Sequence, residues 1–170
     1  MFRMLVRLMI ASALLIGSVA LPAEPWATAT SRKAAPSFSL DDSEGKTIKL
    51  ADFQGQVVLL DFWATWCHGC MTEIPWFMEF QGKYKADGLA VIGVSVDDDG
   101  WKSVKPFLAE RKFNYTIVVG NQDLEKLYSV EAPPVAVLID RAGKIAETHA
   151  GVVEKDSFEK EIKELLREGK

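Results

Sequence analysis

A chain of 170 residues with a net charge of −4 has room for one domain of ordinary size once a short N-terminal segment is set aside. The negative balance excludes nucleic acid or an anionic membrane surface as the main partner. Hydrophobic residues make up 48%, with nine Phe, five Trp and three Tyr, which excludes a disordered chain and predicts a packed interior.

The first residues read as a targeting segment. Arg3 and Arg7 are basic, and Leu8 to Leu21 then carries no charge before Pro22. That run is shorter than the ~20 residues that span a bilayer and fits the core of a signal peptide. Ser18-Val19-Ala20 and Ala27-Thr28-Ala29 both offer cleavage sites; if uncleaved, the segment is an anchor with its domain outside. Both outcomes predict a periplasmic or otherwise extracytoplasmic domain. No cysteine follows the apolar core, which argues against a lipoprotein, and Arg3 and Arg7 are too far apart for a twin-arginine signal. Residues 1–29 are therefore expected to be the signal peptide or anchor plus the start of a linker, 30–35 linker, and 36–170 the folded domain.

Within that domain, Ser37 to Leu40 reads as a short strand, Asp41 to Lys46 as a turn and Thr47 to Leu50 as the returning strand of a hairpin. Leu50 to Gly55 is a connector. Val57 to Phe62 is too short for a globular helix and rich in strand formers, so it predicts a buried strand. Met71, Ile74, Phe77 and Met78 then follow helical spacing. That helix is expected to run from Cys67 to about Lys85, with Pro75 inside it as a kink and Asp87-Gly88 as its stop. Leu89 to Val96 is a second buried strand. Asp97-Asp98-Asp99-Gly100 is a polar turn that lacks the ligand pattern of a calcium loop.

Trp101 to Arg111 predicts a helix containing Pro106, Tyr115 to Val119 a third strand, and Leu124 to Tyr128 a short helix. Pro133-Pro134 precedes the strand Val135 to Ile139, and Asp140 to Lys144 turns the chain into Ile145 to His149. Phe158, Ile162, Leu165 and Leu166 give the last helix its apolar face. The order predicts an α/β domain with a central mixed sheet, helices on both faces and an added N-terminal β-hairpin.

The chemistry is concentrated at Trp66-Cys67-His68-Gly69-Cys70, where a strand hands over to a helix. These are the chain's two cysteines, so none is left for a structural bridge, and a loop across two residues staples almost nothing. The pair is redox-active or metal-binding. Cys67 falls at the helix start, where free N–H groups and the dipole favour an anion and lower a thiol pKa. Cys70 lies one turn deeper, able to reach the same sulfur. Zinc wants four ligands, and His68, wedged between the cysteines, is badly placed to join them, so the reading is redox chemistry with no metal and no cofactor.

Asp61 ends the apolar strand. It is either a buried carboxylate with a raised pKa, able to take the Cys70 proton, or an exposed strand-end residue. Glu73 lies one turn after Cys70, either near the active site or on a solvated face. His68 either stabilises the Cys67 thiolate or faces solvent as a spacer. Trp66 is expected to cover the pair and take part in docking, Trp63 to be core, and His149 to be a strand residue near the surface.

From Asp61-Phe62-Trp63-Ala64-Thr65-Trp66-Cys67-His68-Gly69-Cys70 the chain resembles the thioredoxin superfamily. It is most similar to the TlpA/ResA-like branch, related to the redoxin group, of extracytoplasmic thiol–disulfide oxidoreductases. Glu73-Ile74-Pro75, Gly93 to Asp97 and Tyr128 to Pro134 followed by Val135 to Asp140 extend the likeness over about Ala35 to Leu166. The resemblance implies a thioredoxin-like fold, with Cys67 as nucleophile, Cys70 as resolving thiol and Pro134 as the cis-proline beside them. It implies a monomer acting on protein thiols and disulfides as a reductant, in the manner of cytochrome c maturation, with a membrane-bound electron donor. It also implies that Asp61 is the buried acid and Glu73 a residue that tunes the cysteines.

This chain departs from the pattern in carrying both Asp61 and Glu73, where the first position is often neutral, and in two further places. Gly69 replaces a common proline, and Pro133 lacks the N–H that the residue before the cis-proline offers to a substrate strand. Two other functions stand beside this one. A peroxiredoxin-like peroxidase would need Thr where Ala64 stands, and a copper-binding module would need a partner such as His149.

Overall fold

The computed structural model describes residues 31–168; the targeting segment and its cleavage sites lie outside the described residues. The hairpin is β1 (Ser39–Asp41) and β2 (Thr47–Lys49). Then come β3 (Val57–Trp63), α1 (His68–Tyr84), β4 (Leu89–Ser95), α2 (Trp101–Glu110), β5 (Thr116–Val119) and α3 (Gln122–Leu127). The chain closes with β6 (Val135–Ile139), β7 (Ile145–Ala150) and α4 (Lys155–Arg167). The order is that expected from the sequence, with ends moved by a residue or two, as helix and strand ends commonly are.

The main sheet has the order β5-β4-β3-β6-β7. β3, β4 and β5 are parallel, whereas β6 runs antiparallel to β3 and β7 antiparallel to β6. β3 is the central strand and is buried at all seven positions. It therefore reads as a continuous apolar run in place of an alternating one. Val57 and Leu59 pack with Phe77 and Phe80 of α1 and Phe158 and Ile162 of α4. Val58, Leu60 and Phe62 point to the opposite face, where they meet Phe38, Ile48, Leu124 and Tyr128. The hairpin thus closes one face of the core, and Asp42 bridges it to Val118 of β5. Strand alternation puts Asp61, the polar member of the β3 run, on the α1 face.

Residues 32–35, read from composition as linker, are built into the domain. Ala34 bridges to Lys144, and the Arg32 side chain is buried. Its guanidinium donates to Asp140 at 3.2 Å and to both carboxylate oxygens of Glu168 at 2.6 and 3.0 Å. The partners lie more than a hundred positions away, so nothing local in the composition marks the contact. Among the described residues, no helix is long and apolar enough to cross a membrane.

Candidate active site

At the C-terminal end of β3 the chain turns through Ala64-Thr65-Trp66 before α1 begins. That turn is clamped to the end of β4. The Thr65 N–H and hydroxyl donate to the Asp97 carboxylate at 3.0 and 2.6 Å, and the Ser95 hydroxyl donates to it at 2.8 Å. The Val96 N–H also donates to the Trp63 carbonyl at 2.8 Å. The three-aspartate stretch after β4 therefore holds the active-site loop through its first member.

Cys67 is the N-cap of α1, and its Sγ accepts from the Cys70 N–H at 3.1 Å. The two cysteines are joined as a disulfide, with Cα atoms 5.3 Å apart. Cys70 is fully buried while Cys67 retains 4% exposure, so the outer sulfur is the one nearer solvent. Trp66 is 60% exposed beside them and His68 is also exposed. Trp63 is buried in the core against Phe107 and Phe113.

The Pro133–Pro134 bond is cis, and Pro134 lies against the first turn of α1. A Cβ added at Gly69 would sit 3.4 Å from the Pro134 ring and 2.9 Å from Val152 Cγ2. Glycine at this position thus answers to a neighbour far along the chain. Val152 belongs to the loop between β7 and α4, which is held at two points. The Gly151 N–H donates to the Pro134 carbonyl at 2.9 Å, and the Val153 N–H donates to Glu73 Oε1 at 2.7 Å.

Beneath this mouth lie two buried carboxyls. Asp61 is 1% exposed, with Gly93 of β4 and Ala136 of β6 as its cross-strand neighbours. Burial pushes its carboxyl well above the usual carboxylate range, the nearby Glu73 charge pushes it further, and a hydrogen bond from Tyr115 opposes both. Glu73 is also 1% exposed, so it is not on a solvated helix face. Burial raises its pKa against the opposing pull of the Val153 N–H and His149. His149 is half-buried; its Nε2 lies 2.8 Å from Glu161 Oε2 and its ring meets Phe158 edge-on. Among the described residues, no group of three or more His, Cys, Asp or Glu is arranged to hold a metal ion.

The residues singled out from sequence, Cys67, Cys70, Trp66, His68, Pro133, Pro134, Asp61 and Glu73, all belong to this end of the sheet or to the first two turns of α1. Sequence reasoning missed Tyr115, Val152 and Val153. The only trace of Val152 was the glycine at position 69.

Three comparisons bear on this geometry. The profile of the AhpC/TSA family matches residues 32–148. The thiol-disulfide oxidoreductase ResA of Bacillus thuringiensis subsp. konkukian is 34% identical over 134 residues, 78% of this chain and 77% of that protein. The thioredoxin-like protein YneN of Bacillus subtilis is 33% identical over 130 residues, 75% of this chain and 76% of that protein. Among solved structures, a chain provisionally described as the thiol:disulfide interchange protein DsbE of Chlorobium tepidum superposes with a TM-score of 0.75 at 36% identity, covering 79% of this chain and 96% of that one.

Proposed function

This chain belongs to the AhpC/TSA family as a ResA-like thiol–disulfide oxidoreductase of thioredoxin-like fold, and from that premise we propose that it reduces protein disulfides outside the cytoplasm. Cys67 is the attacking sulfur and Cys70 the resolving one. The observation that carries this assignment is the position of Cys67 at the α1 N-terminus, accepting from the Cys70 N–H. The N-terminal dipole and that N–H stabilise a thiolate at Cys67, whereas Cys70 is enclosed.

In the reduced protein the Cys67 thiolate attacks a substrate disulfide. A bond forms between Cys67 and one substrate sulfur, and the other substrate sulfur leaves as a thiolate. Cys70 then gives its proton to the Asp61 carboxylate and attacks Cys67. The Cys67–Cys70 bond forms as the mixed disulfide breaks, and the second substrate sulfur departs. The pair has lost two electrons and the substrate has gained them. A base for Cys70 must be reachable yet not permanently charged in a buried site, which is what a carboxyl with a raised pKa provides. Glu73 tunes the pair from the next turn of α1.

Trp66, His68, Pro133 and Pro134 border the groove in which the substrate chain lies, with Pro133 offering a carbonyl and no N–H. The N-terminal apolar segment of the sequence supports export. A membrane-bound thiol donor that re-reduces the pair, and substrates of the kind found in cytochrome c maturation, fit a monomeric ResA-like reductant.

The test is disulfide exchange with the purified, reduced domain. Cys67→Ser is expected to abolish exchange, and Cys70→Ser to accumulate mixed disulfides. Asp61→Asn should slow release of the mixed disulfide more than its formation. A Cys67–Cys70 reduction potential near that of thioredoxin, about −270 mV, is expected for a reductant, and one near −120 mV would make the protein an oxidant. Finding Cys70 to be the thiol alkylated at low pH would reverse the assignment.

A further inference from the structure

Asp61 is sealed from water, yet a base that takes a proton in every cycle must also give it up. Its side chain has one hydrogen-bond partner among the described residues, the Tyr115 hydroxyl, which donates to Oδ2 at 3.5 Å. Tyr115 stands just before the edge strand β5, 54 positions from Asp61, and crosses beneath β4 to reach it. The crossing is open because the cross-strand neighbour of Asp61 in β4 is Gly93. A Cβ there would lie 3.2 Å from Tyr115 Cε2, 3.0 Å from Trp63 Nε1 and 2.5 Å from Ile117 Cδ1. A side chain at position 93 would occupy the space through which the tyrosine passes. Phe113 fixes the ring from the outside by an edge-on contact at 5.2 Å.

Tyr115 also lines two open surface depressions, one bordered by Asp42, Glu44, Arg111 and Lys112, the other by Gln81 and Asn114. Tyr115 therefore reaches from the surface to the buried carboxyl, with its hydroxyl at the inner end.

We infer that Tyr115 is a positioning residue for disulfide exchange, its hydroxyl orienting the Asp61 carboxylate and favouring its charged form. The inference rests on the proposed role of Asp61 as the base that serves Cys70. The proton taken from Cys70 sits on the Asp61 carboxyl and returns to the Cys70 sulfur when the disulfide is next reduced; the hydroxyl donates to the carboxylate that remains. A bond of this kind favours the charged form, in the direction opposite to burial and to Glu73. The titratable groups facing Asp61 are Glu73 and the cysteines from α1 and Tyr115 from the segment before β5. Gly93 and Ala136, from β4 and β6, carry none.

The experiment is the pH dependence of mixed-disulfide resolution in the full chain, followed by quenched-flow alkylation, for wild type, Tyr115→Phe, Asp61→Asn and the double variant. Tyr115→Phe keeps the ring and deletes one oxygen. It should move the midpoint of the resolution profile to higher pH and slow resolution below that midpoint by about threefold to tenfold, the scale of one ordinary hydrogen bond, because this one is long at 3.5 Å. Asp61→Asn should remove the titration, and Tyr115→Phe should then add nothing to it. Gly93→Ala, which presses on the tyrosine ring, should shift the profile the same way and serves if the phenylalanine variant does not fold.

An unmoved midpoint in Tyr115→Phe, with Asp61→Asn still abolishing the titration, overturns the role of Tyr115 and leaves that of Asp61 standing. A profile that survives Asp61→Asn overturns both.

Discussion

The buried Asp61 carboxyl makes a prediction about stability that is independent of any substrate. Its folded-state pKa lies well above its unfolded value, chiefly because burial disfavours the charge. The native state thus keeps a proton that the unfolded chain releases. Stability is then fully present below the unfolded pKa of about 3.9 and falls as pH rises towards the folded one. Within that window the loss is ~1.4 kcal/mol per pH unit for one group. With a urea m-value of roughly 1–3 kcal/mol per M, the unfolding midpoint should drop by roughly 0.5–1.4 M per pH unit.

Asp61→Asn removes this site and so removes its slope. The new amide can accept from the Tyr115 hydroxyl, but its buried NH2 costs about 1–3 kcal/mol at every pH if it finds no acceptor. The diagnostic is therefore the slope, and the offset carries no information about ionisation. Urea unfolding of the oxidised protein from pH 4 to 9 should show the wild type losing stability with rising pH while the variant loses less, only the share that Glu73 contributes. Parallel curves for the two proteins would refute the reasoning, because they would mean that Asp61 does not hold its proton in the fold.

Substitutions at two further positions test the supports of the site and of the domain. Glu73→Ala leaves the buried Val153 N–H without its acceptor and should cost about 1–3 kcal/mol. Glu73→Gln retains an oxygen at that place and should cost less, with unfolding midpoints separating the two. Arg32→Met removes the partner of Asp140 and Glu168. Breaking a buried pair in this way costs roughly 3–5 kcal/mol, towards the lower end here because Glu168 still reaches solvent, and denaturant titration at pH 7 should detect the loss.

The strand Val57–Trp63, the helix after it and the amphipathic closing helix were legible because their signals are local. A seven-residue apolar run, a 3.6-residue spacing and a glycine stop each depend only on near neighbours. The position of Cys67 at a helix mouth followed from the same local grammar, and so did the greater enclosure of Cys70. The burial of Glu73 did not, since position 73 reads equally well as a solvated face until the Val152–Val153 loop closes over it. The stretch 32–35 looked like linker because the mixture of Pro, Ala, Thr and Ser over 24–35 says nothing of Asp140 and Glu168, which only the tertiary fold brings beside Arg32.

What the sequence alone determined was the element order and the cysteine pair at the strand-to-helix junction, since bonded neighbours and helical turns decide both. What only the tertiary structure decided was the environment of that pair. Glu73 meets a backbone N–H 80 positions away, and Asp61 meets Tyr115 across a strand whose glycine leaves the passage open. Such contacts are set by which strands lie side by side and by where small residues leave space. That information belongs to the packed sheet and to no single stretch of the chain.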